Sequence, residues 1–282
     1  MATDKQQQIF EQGSATYSNS SRFFEKEVRD KVTTLYAFVR VPDDLVDVSN
    51  DIEGYYAFRN AFFESYATGI RTGNEVIDLF VDLVKQHDIP IVWVEEFFNS
   101  MEMDLNNYSY QNIDDTLKYI RGSAEVIGLM LAKILGLDEQ SYPYAEMLGR
   151  SMQFINMIRD IDEDIQIGRS YFPQEELERY GLFPLTKEGA FAQDDKFRSF
   201  VNFQLDRYEQ WQAQAEIGFR YIKYRYLVAI KTAADKYNMT ARVIGDDPFV
   251  VFSRKVKPSK SEIMLQGLLN AILLLFKKWK KL

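Results

Sequence analysis

Helical periodicity runs through almost the whole of this 282-residue chain and restricts its fold more than any other feature. Apolar residues recur three and four positions apart: Leu79 and Leu83 are four apart, as are Ile127 and Leu131, and Ile134 follows Leu131 by three. This spacing places them on one face of a helix. No segment shows the alternating, turn-bounded pattern of a β-strand. Glycine and proline are scarce, with 14 and 7 residues, so the sequence predicts an all-α fold.

The periodicity predicts nine helices. They cover residues 23–47 (bent at Pro42), 51–69, 74–88, 91–107, 114–136, 140–166, 194–216, 217–238 and 260–280. One long irregular stretch runs from Gly168 to Thr186. No repeat or linker divides the chain, so we expect a single domain over residues 1–282. Its core is expected at about 13–255, followed by a basic amphipathic helix at about 260–282.

Composition excludes several classes of function. The chain has no cysteine and one histidine, which excludes disulfide frameworks, zinc–thiolate sites and cysteine nucleophiles. Acid–base chemistry must come from carboxylates, tyrosines, water or the substrate. The net charge of −8 argues against a nucleic-acid partner. The N-terminus does not resemble a signal peptide, and the longest apolar run, 271–276, is too short to span a membrane. We therefore expect a cytoplasmic protein, with peripheral attachment to the inner face of a membrane left open.

The first of two acidic motifs is the segment RVPDDLVD, which runs from Arg40 to Asp47. Asp43 and Asp47 are four residues apart, so they share a helix face about 6 Å apart along the axis. Two like charges at this spacing destabilise a helix unless a cation neutralises them. Apolar residues lead directly into the motif, so its carboxylates do not belong to a simple solvated face. The motif therefore predicts a cation site.

The second acidic motif is NMIRDIDED, in which Asn156, Asp160 and Asp164 recur every four residues. All candidate ligand atoms are oxygens, which suits Mg²⁺, with Mn²⁺ as an alternative, rather than zinc or copper. Magnesium prefers one or two carboxylates completed by waters and phosphate oxygens. A diphosphate that bridges both motifs is the natural partner, and Arg40 and Arg159 would neutralise it directly. The alternative interpretation of either motif alone is an exposed acidic helix end.

These two motifs resemble the paired signatures of the squalene/phytoene synthase family. Four further segments match the family pattern: Ser14-Ala15-Thr16-Tyr17, Met103-Asp104, YIRGSAEVIG at 119–128 and GRSYFP at 168–173. The resemblance covers about residues 13–255, and the second acidic motif is its most specific part. Ala15 replaces a usual basic residue, and Arg121 and Glu125 replace small or aromatic ones. None of these three residues belongs to the two acidic motifs.

The resemblance implies an isoprenoid synthase-type helical bundle around a central apolar channel, with magnesium and diphosphates at its mouth. By position, the metal ligands would be Asp43, Asp47, Asn156, Asp160 and Asp164. The four aspartates would be catalytic, together with Tyr36, Tyr171 and Tyr237. The substrate-binding residues would be Ser14, Thr16, Tyr17, Ser21, Thr33, Arg40, Asp104, Gln153, Arg159 and Arg254.

The implied activity is magnesium-dependent, head-to-head condensation of two prenyl diphosphates through a cyclopropylcarbinyl diphosphate. Ser21 and Thr33 fall where farnesyl-using members carry bulky aromatics, so small side chains here favour two geranylgeranyl diphosphates and 15-cis-phytoene as product. The alternative is a squalene, dehydrosqualene or hydroxysqualene synthase that uses farnesyl diphosphate, with NADPH required only by the squalene type. A third interpretation is a non-catalytic relative that acts as an assembly factor, which the five intact ligand positions disfavour.

The C-terminal segment, Glu262 to Leu282, carries apolar residues at helical spacing and four lysines, Lys277, Lys278, Lys280 and Lys281. A basic amphipathic helix of this kind suits peripheral contact with a membrane. A core helix with a solvated lysine end explains the pattern equally well. The sequence leaves the oligomeric state open.

Overall fold

The computed structural model describes residues 2–106 and 110–279. Across these two ranges the chain is helical, without a β-strand, which confirms the predicted all-α fold. The α-helices are α1 (Asp4–Gly13), α2 (Ala15–Ser20), α3 (Lys26–Asp47), α4 (Ile52–Thr68), α5 (Glu75–Gln86), α6 (Ile91–Leu105), α7 (Ile113–Ile120), α8 (Val126–Ile134), α9 (Tyr142–Arg159), α10 (Ile161–Gln166), α11 (Gln174–Arg179), α12 (Lys187–Ala192), α13 (Asp194–Ile217), α14 (Tyr224–Asp246) and α15 (Lys260–Trp279). A short π-helix at Arg121–Glu125 joins α7 to α8.

The sequence periodicity does not predict α1, because its residues are mostly polar. A capping box fixes its start: the Gln6 N–H donates to Thr3 Oγ1 at 3.3 Å, and the Thr3 N–H donates to Gln6 Oε1 at 3.2 Å. Phe10 is buried and packs on Tyr36 of α3, with ring centroids 4.6 Å apart. This packing holds α1 beside α3 and delivers the chain to Ser14, where α2 begins.

The predicted helix at 217–238 begins later, at Tyr224, and continues to Asp246. Lys223, with φ −60° and ψ 141°, interrupts the helical backbone just before it. Residues 218–221 form a 3₁₀ turn instead. Gly218 packs closely on Tyr144, since a Cβ there would lie 2.3 Å from Tyr144 Cβ. Helix α14 extends beyond its predicted end, whereas the predicted site residue Tyr237 lies within the predicted range.

Helix α3 carries the first acidic motif and contacts different surroundings on its two sides. Leu35, Ala37 and Phe38 belong to a core cluster with α4, α5, α6 and α8, where Phe38 stacks on Phe80 at 3.7 Å. The i, i+3, i+4 series that includes Val32 and Val39 faces a cavity. The core contacts fix the rotation of α3, and so they fix the direction in which its aspartates point.

The second acidic motif lies across a helix break. Helix α9 ends at Arg159, Asp160 has φ −96° and ψ 13°, and α10 begins at Ile161. Hydrogen bonds with i, i+4 spacing nevertheless continue, from the Asp160 N–H to the Asn156 carbonyl at 2.8 Å and from the Asp164 N–H to the Asp160 carbonyl at 2.9 Å. The three predicted ligand positions therefore remain on one side of the chain.

Helix α9 touches both α8 and the short π-helix that precedes α8 through their backbones. A Cβ at Gly128 would lie 2.4 Å from the Ala145 carbonyl oxygen, and one at Gly149 would lie 2.5 Å from that of Ala124. Real Cβ atoms do not approach so closely, so only glycine fits at either position. This close contact forms one wall of the interior. Within the described ranges, no helix is both long enough and apolar enough to cross a bilayer.

Candidate active site

Two adjoining cavities lie inside the bundle. One is polar, with a volume of about 590 Å³, and the other is apolar, with a volume of about 260 Å³. Tyr17, Tyr36, Gln153 and Asn156 line both cavities, so the polar one opens directly onto the apolar one. A ligand with a charged head and a hydrocarbon tail matches this pair of environments.

All five predicted metal ligands line the polar cavity. Asp43 and Asp47 face it from α3, while Asn156, Asp160 and Asp164 face it from α9 and α10. The fold thus brings together two motifs more than a hundred residues apart in the sequence. That these five residues bind metal stays a prediction.

The carboxylates of the polar cavity are crowded. Burial and the nearby Asp47 raise the pKa of Asp43 to about 7, and burial and Asp160 raise the pKa of Asp164 to about 8. The Asn156 Oδ1 atom is buried and accepts no hydrogen bond from the described residues. Crowded, buried oxygen atoms of this kind suit a hard cation.

Protein cations already neutralise several of these carboxylates. Arg40 pairs with Asp43 at 2.6 Å, and Arg159 donates to both oxygens of Asp160 at 2.7 and 2.5 Å. Arg169, from the GRSYFP segment, pairs with Asp47. These arginines lie close enough to the cavity to bind phosphate oxygens in place of the carboxylates.

Asp104 lies behind the cavity rather than in its lining. Its two carboxylate oxygens accept hydrogen bonds from Tyr119 and Tyr171, both at 2.9 Å. Burial, together with the charge of Asp47, raises the pKa of Asp104 to about 6. Tyr119 and Tyr171 do line the cavity. The position of Asp104 therefore favours orienting these tyrosines, in contrast to the predicted direct substrate contact.

Most of the other predicted residues also reach the polar cavity. The lining includes Ser14, Thr16, Tyr17, Tyr36, Arg40, Gln153, Arg159, Tyr171 and Tyr237. Ser14 Oγ accepts the Tyr17 N–H at 3.2 Å and so caps α2. The rings of Tyr17 and Tyr237 are 5.8 Å apart, and those of Tyr17 and Tyr36 are 6.5 Å apart. Three tyrosines therefore cluster where the two cavities meet.

Two predicted substrate-binding residues lie elsewhere. Arg254 is exposed and does not line either cavity, whereas Lys255 and Lys257, on either side of buried Val256, line the polar one. Thr33 is buried but does not line the apolar cavity, although Ser21 does. The lining series on α3 runs through Val32, Leu35, Tyr36 and Val39, and Thr33 lies about 100° away from Val32 around the helix.

Four residues of the site lie outside the sequence-predicted set: Tyr119, Arg169, Lys255 and Lys257. Tyr119 and Arg169 fall within segments that match the family pattern, so the signal for both was present in the sequence. Lys255 contacts Asp160 at 3.2 Å and also pairs with Glu163. Burial and the charge of Lys255 lower the pKa of Lys257. The basic end of the chain therefore begins inside the site.

The family model for squalene/phytoene synthase matches residues 10–262. The chain belongs to the squalene/phytoene synthase family. A 15-cis-phytoene synthase of Enterobacter agglomerans is 31% identical over 240 residues, covering 80% of each chain. One of Pantoea ananas is 28% identical over 242 residues, covering 80% of this chain and 76% of the relative. The synthase is therefore an enzyme of the prenyltransferase type, and its family uses prenyl diphosphates.

Solved structures agree on the fold of the synthase. A dehydrosqualene synthase in complex with a ligand superposes with a TM-score of 0.83 at 20% identity, covering 96% of this chain and 95% of the other. A squalene synthase from Alicyclobacillus acidocaldarius gives a TM-score of 0.76, also at 20% identity, covering 87% and 94%. The helical arrangement is thus shared across members named for different products.

Proposed function

We propose that this synthase condenses two geranylgeranyl diphosphates head to head, through a cyclopropylcarbinyl diphosphate, to give 15-cis-phytoene. The observation that carries the proposal is the pair of adjoining cavities, in which both acidic motifs face the polar space and Ser21 lines the apolar one. The similarity to phytoene synthases of two bacteria supports the same product.

The polar cavity suits magnesium bound together with diphosphate. Asp43, Asp47, Asn156, Asp160 and Asp164 would hold the metal. Within the described part of the chain, no three carboxylates converge as a complete metal site. Phosphate oxygens and waters would therefore have to complete the coordination, which is the usual mode for Mg²⁺. When bound, magnesium would neutralise charge that develops on the departing diphosphate.

Basic side chains would bind the diphosphates from the protein side. Arg40 and Arg159 line the cavity and have planar guanidinium groups that match phosphate geometry. Lys255 and Lys257 supply two further charges on the same cavity wall. Fixed cations stabilise the negative charge that develops as the carbon–oxygen bond breaks and the allylic cation forms.

Three tyrosines would protect that cation. Tyr17, Tyr36 and Tyr237 meet at the junction of the cavities, so their rings would surround the reacting carbons of a substrate bound across it. Aromatic faces stabilise positive charge without forming bonds to it. Burial is the main factor that raises the pKa of all three phenols, so they stay protonated and do not become nucleophilic phenolates. The apolar cavity keeps water away from the hydrocarbon chain.

Product analysis tests the proposal. Purified protein would be incubated with Mg²⁺ and either geranylgeranyl or farnesyl diphosphate, each with and without NADPH, and the hydrocarbon identified by mass spectrometry. We expect 15-cis-phytoene from the geranylgeranyl substrate without NADPH, and no product in excess EDTA. A product formed only from farnesyl diphosphate would contradict the chain length, and full turnover in EDTA would contradict the metal.

We also propose that the synthase contacts anionic membranes through its C-terminal lysines. Each basic residue near such a surface contributes about 1 kcal/mol of attraction. The side chains of residues 277–282 lie outside the described part of the structure. Deleting residues 277–282 should weaken flotation with anionic vesicles but leave turnover in detergent nearly unchanged. Unfolding of the truncated protein would contradict the proposal, because it would show that the segment belongs to the core.

A further inference from the structure

Helix α15 makes polar contacts on its inner side and exposes apolar side chains on its outer side. Asn270 is buried on α14, where its Nδ2 donates to Asp235 Oδ2 at 2.8 Å and to Thr232 Oγ1 at 3.2 Å. Gln266 Nε2 donates to the same Asp235 oxygen at 3.0 Å. Polar side chains therefore share the inner side of the helix with the buried Ile263, whereas a surface helix usually buries mainly apolar residues there.

The outer side of α15 is apolar. Its large side chains are between 46% and 66% exposed: Leu265, Leu268, Leu269, Ile272, Leu273, Leu275 and Phe276. Contiguous apolar surface of this kind marks an interaction site. Four lysines follow it at the end of the chain. Apolar side chains flanked by cations match a bilayer with anionic headgroups, and they match a protein groove less well.

The inner side of α15 lies over one end of the apolar cavity. Gly267 packs on the Phe23 ring so closely that a Cβ there would lie 2.0 Å from it. The Tyr224 hydroxyl donates to the Ala271 carbonyl at 2.7 Å. Residues next to these contacts in the sequence line the cavity, namely Phe24 beside Phe23 and Ile222 near Tyr224. Helix α15 therefore covers the boundary between α2 and α14, whose inner residues form the cavity wall.

The opposite end of the apolar cavity is the polar cavity, with its carboxylates and basic side chains. A hydrocarbon product that left by that end would pass a charged surface and enter water, which is unfavourable in proportion to its apolar area. Release along α15 would transfer it from one apolar environment to another. Product release limits many enzymes, so the route affects turnover.

We propose that α15 rests with its outer face in a bilayer and that the hydrocarbon leaves the apolar cavity along the boundary between α2 and α14, beneath α15, directly into the lipid. This inference depends on the proposed function in requiring a hydrocarbon product, although it does not depend on that product's chain length. Helix α15 must shift away from α14 to let the product pass.

A reversible lock on α15 tests the route. Because the chain has no cysteine, the double substitution Thr232→Cys and Asn270→Cys adds the only two thiols, at side chains that are in contact. The oxidised and reduced forms would be compared by vesicle flotation, by product formed in a single turnover, and by the rate of product transfer to vesicles of phosphatidylcholine and phosphatidylglycerol.

We expect the oxidised form to bind vesicles and to complete one turnover like the reduced form, but to transfer product at least tenfold more slowly. Equal transfer rates in the two forms would overturn the proposed route. Formation of a farnesyl-derived hydrocarbon would contradict the proposed function, while the comparison of transfer rates would still decide the route. Absence of any hydrocarbon from either substrate would overturn both.

A second pair of variants tests the lipid face without altering the contact with α14. Leu269→Glu places a charge on the outer face of α15, and Ile70→Glu is the matched control at an exposed apolar residue elsewhere. We expect Leu269→Glu to lower vesicle-stimulated turnover about tenfold with turnover in detergent unchanged, and Ile70→Glu to leave both unchanged. Equal vesicle stimulation in the two variants would overturn the lipid contact.

Discussion

The two cavities of the synthase are specified in different ways. The polar cavity depends on the charge of its side chains, because Asp43, Asp47 and Asp160 all form ion pairs with basic side chains. In the apolar cavity, shape decides, because residues such as Ser21 and Leu35 contribute volume and no charge to its wall. We infer that substitutions in the first should affect whether the reaction occurs, and substitutions in the second should affect which chain lengths fit.

The largest effect on turnover should come from a substitution in the second acidic motif. Asp160→Asn removes a charge from the polar cavity, and the loss of one such preorganised group costs about 10²–10³-fold in turnover. Asp162→Asn is the matched control, because Asp162 is two residues away but contacts Lys187 at 3.4 Å and does not line the cavity. Steady-state kinetics with geranylgeranyl diphosphate would measure both variants.

Asp162→Asn should keep nearly full turnover, and both variants should keep the melting temperature of the unmodified protein within a few degrees. A similar loss of turnover in the two variants would show that charge anywhere in the second acidic motif matters. In that case, the distinction between the two cavities would not hold.

A smaller effect is expected from the apolar cavity. Ser21→Phe fills space in its wall, and overpacking typically costs about 1–3 kcal/mol, so use of geranylgeranyl diphosphate should fall about tenfold. Use of farnesyl diphosphate should be unchanged or improved. Competition between the two substrates, followed by product analysis, would give the ratio.

Thr33→Phe sharpens this test, because Thr33 is buried without lining the cavity. We expect this variant to lower the melting temperature and to leave the ratio of the two substrates unchanged. If Thr33→Phe instead changed the ratio as much as Ser21→Phe does, the position of Thr33 on α3 would not explain chain length.

The smallest effect should appear in the way the stability of the folded protein depends on pH. In the metal-free protein, the pKa values of Asp43 and Asp164 are raised to about 7 and about 8. A carboxyl group whose pKa rises on folding binds its proton more tightly in the folded state. Its contribution to stability is therefore present at low pH and is lost as pH rises through the folded value.

In EDTA, the melting temperature should fall by a few degrees between pH 5 and pH 8.5, as measured by differential scanning calorimetry. Asp43→Asn should show a smaller fall, because it removes one of the two groups. Mg²⁺ with inorganic diphosphate should reduce the fall in the unmodified protein. A fall of the same size in Asp43→Asn would show that Asp43 does not contribute to it.

Sequence patterns predicted the helical class, and they predicted which acidic and amide side chains lie on one side of the chain, because both depend on short-range spacing. An i, i+4 series places Asn156, Asp160 and Asp164 together whether or not the helix breaks, and here it does break at Asp160. The first motif needed only its position on one helix. The side chains of each motif therefore lie on one side of the chain, however the other helices pack.

The remaining features depend on packing, which spacing does not encode. The direction of Thr33 follows from how α3 rotates against its neighbours, and gap-free alignment could not provide that rotation. Asp104 carries the same charge as a substrate ligand, but two tyrosines from separate segments enclose it. The polar contacts on the inner side of α15 become visible only once its packing on α14 is known.

The backbone contact between α8 and α9 restricts how the sequence of this enzyme can evolve. A side chain at Gly128 or Gly149 would push α9 away from the backbone that it contacts. Single substitutions at these two positions should therefore destabilise the fold. The facing wall, which includes Ser21, can accept substitutions one at a time. New product lengths should therefore arise through α2 and α14, and a library of variants aimed at that wall would contain more folded members than one aimed at the glycines.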